Sequence, residues 1–366
     1  MITKKFCTVG LLILATMGLT SVPVLAKTSS TADHPSPTTL ASFPTSLSQK
    51  QAVQVVLQYL RQNNRANSAL SDSLQDEDEE GISAKMDNAN YHILSLEGKT
   101  TAGTGPLPKA DQITTYVTGT TRPPAEFLTV IKVPAVTHPQ PEPAYTSLFL
   151  FRKDSRSKPW RVLYEQQFSG KAKIPMPTLP GGHADIQSHL STKAISAYAQ
   201  YLSRGVGDLA AGTYTSTEYR SQERAIAKAA GSSVAETFEF RADPSPVTSI
   251  AVSGGTLEFA GVDEVDTAAP AAGGCGISTA AGDSAGYRAL VPAGIDYAKI
   301  VLNSLGQATL FIPAGKHSRI RVLDAYFQWM TAIAPVASNC SSGEPTPSGP
   351  SQALARSVAL TPHRQH

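Results

Sequence analysis

The chain has 366 residues, of which 41% are apolar, 16% charged and 7% aromatic. That is long enough for two domains of ordinary size and apolar enough to bury a core, which excludes disorder throughout. Lysine and arginine number 31 against 29 aspartates and glutamates, a balance that excludes the basic footprint of a nucleic-acid-binding protein.

The N-terminus carries Lys4 and Lys5, an apolar run from Val9 to Leu19, and Val24-Leu25-Ala26. This three-part pattern predicts a signal peptide over 1–26, cut between Ala26 and Lys27. The run is shorter than the ~20 residues of a spanning helix. No later segment approaches that length, so no transmembrane segment is expected. Loss of the leader lysines leaves 29 basic against 29 acidic residues. Cys7 precedes the apolar run and so is not placed for lipidation, which points to a released product. Removing it leaves Cys275 and Cys340, read as one disulfide in an exported chain, with two free thiols as the alternative. Such a bridge contributes roughly 4 kcal/mol in the chain-entropy view.

Residues 27–45 read as a flexible spacer. Ser48 with Gln51 three residues on predicts a capped helix start, and Val53, Val56, Leu57 and Leu60 form an apolar stripe behind it. An acidic loop is expected next, then strands at Gln112–Thr118, Glu126–Val133, Tyr145–Arg152 and Pro159–Phe168, separated by proline-rich turns. A helix followed by a meander of strands is an α+β order. Residues 169–185 read as a linker, after which the pattern restarts. Ala194–Leu202 aligns with Ala52–Leu60, sharing Ala first and Gln-Tyr-Leu last, and Arg161-Val162-Leu163 recurs as Arg321-Val322-Leu323. The two offsets differ, and a Gly/Ala-rich insert around 267–286 is placed to absorb the difference. A second helix is expected over Glu218–Ala230. Strands follow at Thr237–Arg241, Val247–Val252, Thr256–Phe259, Ala298–Leu302, Ala308–Pro313 and Arg319–Trp329. The expected organisation is a first α+β domain over 46–168, a second over 186–337, and a disordered tail over 338–366.

The N-terminal helix with its Tyr-Leu, the antiparallel strands and the closing Pro159-Trp160-Arg161-Val162-Leu163 resemble the cone-shaped, nuclear-transport-factor-2-like (ketosteroid-isomerase-like) α+β fold. The leader, Asn64-Arg65-Ala66-Asn67, Pro123-Pro124-Ala125-Glu126-Phe127-Leu128 and Pro159-Trp160-Arg161 resemble an uncharacterised secreted family of high-GC Gram-positive actinobacteria, often lipoproteins. The resemblance covers roughly 45–335. It implies two tandem cone-shaped units, each a helix or helices on a curved antiparallel sheet, and an extracellular address. It carries no catalytic residues across, and this leader departs from it in lacking a lipidation cysteine.

Four constellations bear on chemistry. Asp76, Asp78, Glu80, Gly81 and Asp87 approach the spacing of a calcium loop, but Glu80, Ser83 and Asp87 are the wrong residues at their places, and a solvated acidic loop is the better reading. Gly282-Asp283-Ser284-Ala285-Gly286, followed by Asp296 and His317, has the order of a hydrolase triad but lacks the apolar strand a nucleophile elbow needs. Of the histidines, His92 and His317 are expected in ordered units in structural roles, and none has metal-ligand spacing. Tyr59, Tyr91, Tyr201 and Asp87 could furnish a cone mouth, with Tyr59 and Tyr201 read as half-buried helix residues whose hydroxyls point outward. No catalytic, metal or cofactor residue is therefore assigned and no cofactor is expected. The leading functional expectation is an exported, non-enzymatic binding or interaction protein acting outside the cell or at the envelope. Its partner would be an unknown small molecule or an extracellular protein. The alternatives are a cone-fold enzyme (isomerase, dehydratase or hydrolase) and a structural envelope protein.

Overall fold

Ser48 starts the first helix, α1 (Gln49–Ala69), as its sequence requires. Its hydroxyl accepts the Gln51 N–H at 3.2 Å, and Gln51 Oε1 accepts the Ser48 N–H at 2.9 Å. The acidic stretch expected to be a loop is instead helical. Ser71 caps a short helix, α2 (Asp72–Asp78), and a third, α3 (Gly81–Leu96), follows almost at once. Gly81 makes the sharp junction possible, with φ +64° and no room for a side chain, since a Cβ would meet Leu163 Cδ1 at 2.6 Å.

The computed structural model describes residues 47–118, 123–135, 143–170, 172–179, 182–189, 191–217, 219–220, 234–271, 274, 276–278, 285–315 and 318–337. The leader, spacer and tail therefore lie outside the described residues, as do Ala26, Lys27, Cys275, Cys340, Ser284 and His317, and so does nearly all of the helix expected over 218–230.

Two antiparallel sheets follow the helices. The first is a meander of β1 (Ile113–Val117), β2 (Ala125–Val133), β3 (Tyr145–Lys153) and β4 (Arg161–Ser169), in that spatial order. The segment 169–185, expected as a linker, is packed down, with Ile174, Met176 and Ala184 against the core. The second sheet comprises β5 (Ile186–His189), β6 (Val234–Ala242), β7 (Val247–Val252), β8 (Gly255–Pro270), β9 (Ile300–Pro313) and β10 (Arg321–Ile333). Its order is β10-β9-β8-β7-β5, and β6 pairs with the far end of β8. β6 and β7 thus lie end to end along the sixteen residues of β8, broken at Asp243, whose N–H bonds Gly261 O at 3.0 Å. Where two short strands were expected over 298–313, the chain runs as the single strand β9.

Helix α4 (Lys193–Arg204) covers the second sheet, and a short helix, α5 (Ala285–Leu290), lies near the C-terminal end of α3. The described residues belong to one compact unit that begins at Pro44. Phe127, Ile131, Phe149 and Phe151 face α1, with Val56 and Tyr59 among their contacts. Leu128, Val130, Leu148 and Leu150 face the other way, toward Ile250, Leu257 and Phe259 of the second sheet. Ala260, Val262 and Leu310 turn outward to Ile195 and Tyr198 of α4. The layers therefore run helix, sheet, sheet, helix. Coverage on both faces explains why β2 is buried at seven successive positions instead of alternating. This is a mixed α+β fold of helices on antiparallel sheets.

A core shared between the sheets makes their unfolding cooperative. Phe259 is fully buried beside Tyr164, ring centroids 6.0 Å apart. Phe259→Ala should cost about 3–5 kcal/mol. Far-ultraviolet circular dichroism and tyrosine fluorescence should then report one coincident denaturant transition, and separated transitions would show the halves to be independent.

Candidate functional site

The inner face of α1 is only partly apolar. Ala52, Val56 and Ala66 are buried on it, and so are Tyr59, Asn63 and Asn67. The polar members are accommodated because each finds a partner. The Tyr59 ring packs edge-on against Phe149 and Phe151, and its hydroxyl points inward and donates to Glu79 Oε1 at 2.6 Å, with Glu165 Oε2 at 3.5 Å. This corrects the expected outward hydroxyl: α2 delivers Glu79 to the sheet, and two buried carboxyls attract the phenol. Asn63 Nδ2 donates to the Tyr59 oxygen at 3.1 Å, and Asn67 Nδ2 to Asn63 Oδ1 at 2.8 Å. The chain of bonds continues through the Tyr91 hydroxyl, 2.7 Å from Asn67 Oδ1 and 2.8 Å from Gln75 Oε1, to Asp87, which accepts Gln75 Nε2 at 3.1 Å.

Burial dominates the electrostatics. The Glu165 carboxyl is pushed up to about 8 by desolvation and then by the Glu79 charge, against a smaller opposing effect of the Tyr59 hydroxyl. It therefore keeps its proton at neutral pH. Desolvation, with Glu77 and Glu79 nearby, raises Asp78 to about 7, and burial raises the Tyr91 and Tyr326 hydroxyls as well.

A half-open groove with a cavity volume of about 40 Å³ lies alongside this network. Leu60 of α1, Ile131 and Val133 of β2, and Phe149 of β3 form its apolar walls. A strap, Gly105-Pro106-Leu107-Pro108, closes one side. Asn64 holds the strap as a backbone would, donating Nδ2 to Gly105 O at 3.0 Å and accepting the Gly105 N–H at 3.2 Å. Asn63 belongs both to the groove wall and to the buried chain, so it links the two.

The other expected residues are placed elsewhere. Asp76 and Asp78 sit on α2 and Asp87 on α3, so the acidic run is not a cation loop. Among the described residues no group of three or more His, Cys, Asp or Glu could hold a metal ion. Tyr201 is half-buried and donates to Thr215 O at 2.6 Å, far along the chain from Tyr59 and Tyr91. His92 is exposed on α3. His189, to which the sequence reading gives no role, lies on β5 bonded to Ser249, with Glu258 at 3.9 Å. Its Nδ1 accepts the Ser191 N–H at 3.2 Å, so Nε2 carries the proton and is a donor, the wrong tautomer to act as a base on Ser249. The second sheet also carries Glu236 beside Asp266, both raised by burial and, for Glu236, by the neighbouring acid, and Asp324, raised by burial to about 6 and bonded by Tyr214.

Every carboxyl displaced from its ordinary range among the described residues is displaced upward, burial first among the causes. A raised folded-state value means that stability is lost as pH rises. Below the unfolded value both states are protonated; above it the unfolded chain ionises first and gains, until the folded group follows. For Glu165 that window runs from 4.5 to about 8. Calorimetry should show the thermal midpoint falling between pH 5 and pH 8. Glu165→Gln should raise the midpoint at pH 8, by an effect on the order of a few kcal/mol, and flatten its pH dependence.

Comparison of the chain with protein-family models, with curated proteins and with solved structures finds no match.

Proposed function

We propose that this chain is an exported, non-enzymatic binding protein of two tandem cone-shaped units, nuclear-transport-factor-2-like in kind. The first unit holds a small, uncharged and largely apolar molecule in the groove between α1 and the β2–β3 surface. The observation that carries the reading is the make-up of the groove. Its walls offer Leu60, Ile131, Val133, Phe149 and three strap residues as apolar surface, with asparagine, serine and tyrosine side chains as the polar positions and no Asp, Glu, His, Lys or Cys among them. The nearest acids in the network, Glu79 and Glu165, lie behind Tyr59 and Asn63 with 1% and 6% exposure. A ligand in the groove meets apolar side chains with asparagine, serine and tyrosine residues among them, and no carboxyl or imidazole lines it.

The tandem reading is supported by two recurrences. Arg161-Val162-Leu163 opens β4 and Arg321-Val322-Leu323 opens β10, each the last strand of its sheet. The helices that share Gln-Tyr-Leu, α1 and α4, each cover one sheet. Export is supported by the leader pattern, and no helix among the described residues is long and apolar enough to cross a membrane.

Native and denaturing mass spectra of the protein recovered from its secretion medium test the proposal together. The denatured chain should begin at Lys27, and the native mass should exceed it by one small-molecule increment. Val133→Trp, which fills the end of the groove, should abolish the increment and weaken binding of the neutral fluorophore N-phenyl-1-naphthylamine at least tenfold. Equal native and denatured masses with no fluorophore bound would overturn the groove as a binding site.

A further inference from the structure

The strap that closes one side of the groove is fixed at both ends and loose in the middle. At its near end the Ala102 N–H and the Thr101 hydroxyl both reach Asn67 O, at 2.8 Å and 3.1 Å, where the last turn of α1 leaves carbonyls without helical partners. At its far end the Lys109 N–H donates to Gln112 Oε1 at 2.7 Å, and Lys109 O accepts the Gln112 N–H at 3.0 Å. Between these anchors, over 104–108, the described residues give the strap no hydrogen bond except the two from the Asn64 side chain to Gly105. We propose that Asn64 is the latch of the binding site: the ligand enters and leaves as the strap swings away from α1, and the two bonds to Gly105 hold the strap shut over it. The inference rests on the binding reading above and adds how the site retains its ligand.

Local chemistry makes this segment a stiff flap on a hinge. Pro106 and Pro108 fix their own φ and keep Gly105 and Leu107 out of helical geometry, so 105–108 moves as one piece. Neither proline has an N–H, so the strap is not zipped to a neighbour as a strand would be. Gly103 supplies the hinge: its φ is +90°, and a Cβ there would find nothing within 4 Å. Thr104, Pro106 and Leu107 are exposed, Leu107 at 42%, so little buried apolar surface opposes opening. The latch itself is chemically specific. An asparagine amide presents a donor and an acceptor side by side, matching the C=O and N–H of Gly105, and both bonds form, at 3.0 Å and 3.2 Å. Aspartate would lack the donor, and the amide of glutamine stands one methylene farther out. The turn of α1 that carries the latch also gives Leu60 and Asn63 to the groove wall, so the latch registers the strap against the surface that the ligand touches.

Hydrogen exchange and a fluorescent probe read the latch and the site separately. In the full wild-type chain the Gly105 amide should be protected, and N-phenyl-1-naphthylamine bound in the groove should raise that protection. Asn64→Ala should bring Gly105 to the exchange rate of a free amide and speed dissociation of the probe at least tenfold in stopped-flow fluorescence, with circular dichroism recording that the chain is folded. Asn64→Asp separates a latch from a direct contact with the ligand. Its carboxylate opposes Gly105 O at neutral pH, but the protonated acid has an O–H where the amide has its N–H. Probe dissociation should therefore be fast at pH 7 and slow toward the wild-type rate as the pH falls to roughly 4, the ordinary range of an aspartyl carboxyl, while the wild-type rate stays level. A freely exchanging Gly105 amide in the wild type, an unchanged dissociation rate in Asn64→Ala, or no acid recovery in Asn64→Asp would overturn the latch and leave the groove as a binding site. Failure of the probe to bind the wild-type chain would overturn the binding reading and, with it, the part the latch plays in retention.

Discussion

β4 ends its sheet, and the manner in which that edge is closed governs much of the molecule. An edge strand presents unpaired N–H and C=O groups that must find partners when buried. No further strand serves here. Val162 O accepts the N–H of Glu80 at 2.9 Å, from the junction of α2 and α3. The N–H of Glu165 is taken by the side chain of Gln307 at 3.0 Å, and Gln166 Nε2 returns a bond to Gln307 O at 3.0 Å. The two sheets are thus joined at β4 and β9 by side-chain amides where backbone pairing stops.

That closure has an electrostatic consequence. Bringing the α2–α3 junction onto β4 places Glu79 inside, and alternation along β4 turns Glu165 toward α1. Two carboxyls therefore meet where water is excluded. One of them is neutral at pH 7, since ionising both would put like charges together in a medium of low dielectric constant. The α1 face answers with Tyr59, Asn63 and Asn67 in place of aliphatic residues, and the hydrogen-bond chain ends on the helices that caused it, at Gln75 and Asp87. Replacing such a network with apolar side chains would often be as stable.

The same residues explain what could be read from the chain in advance. The Ser48–Gln51 cap and the β1–β4 meander are local, set by turn chemistry and apolar runs, and their boundaries agree with the structure to within one or two residues. α2 and α3 were illegible because Asp76 to Glu80 read as solvated charge, whereas Asp78 and Glu79 are buried and Asp76 and Glu77 are exposed. Hydropathy also misplaced the buried face of α1. The stripe Val53, Val56, Leu57, Leu60 is rotated from the true face, Ala52, Val56, Tyr59, Asn63, which is buried only because tertiary partners satisfy it. Tyr59, Tyr91 and Asp87 were singled out from type alone, and they do meet in one network; the glutamates and Gln75 that join them, each bonding across 12 or more residues, left no periodic trace.

The two helices that share Gln-Tyr-Leu end in different chemistry. In α1 the tyrosine of that motif, Tyr59, is 3% exposed and directed at carboxyls. In α4 its counterpart Tyr201 is half-buried and bonds a backbone carbonyl, Thr215 O, while the neighbouring Tyr198 supplies the fully buried ring. A backbone carbonyl does not titrate, so the bond made by Tyr201 is indifferent to pH, and that made by Tyr59 is not. The acids of the second sheet, Glu236, Asp266 and Asp324, are carried on strands. Proton sensitivity of the helix face therefore belongs to the first half, where the turn of α1 that carries Tyr59 meets a buried ionisable pair.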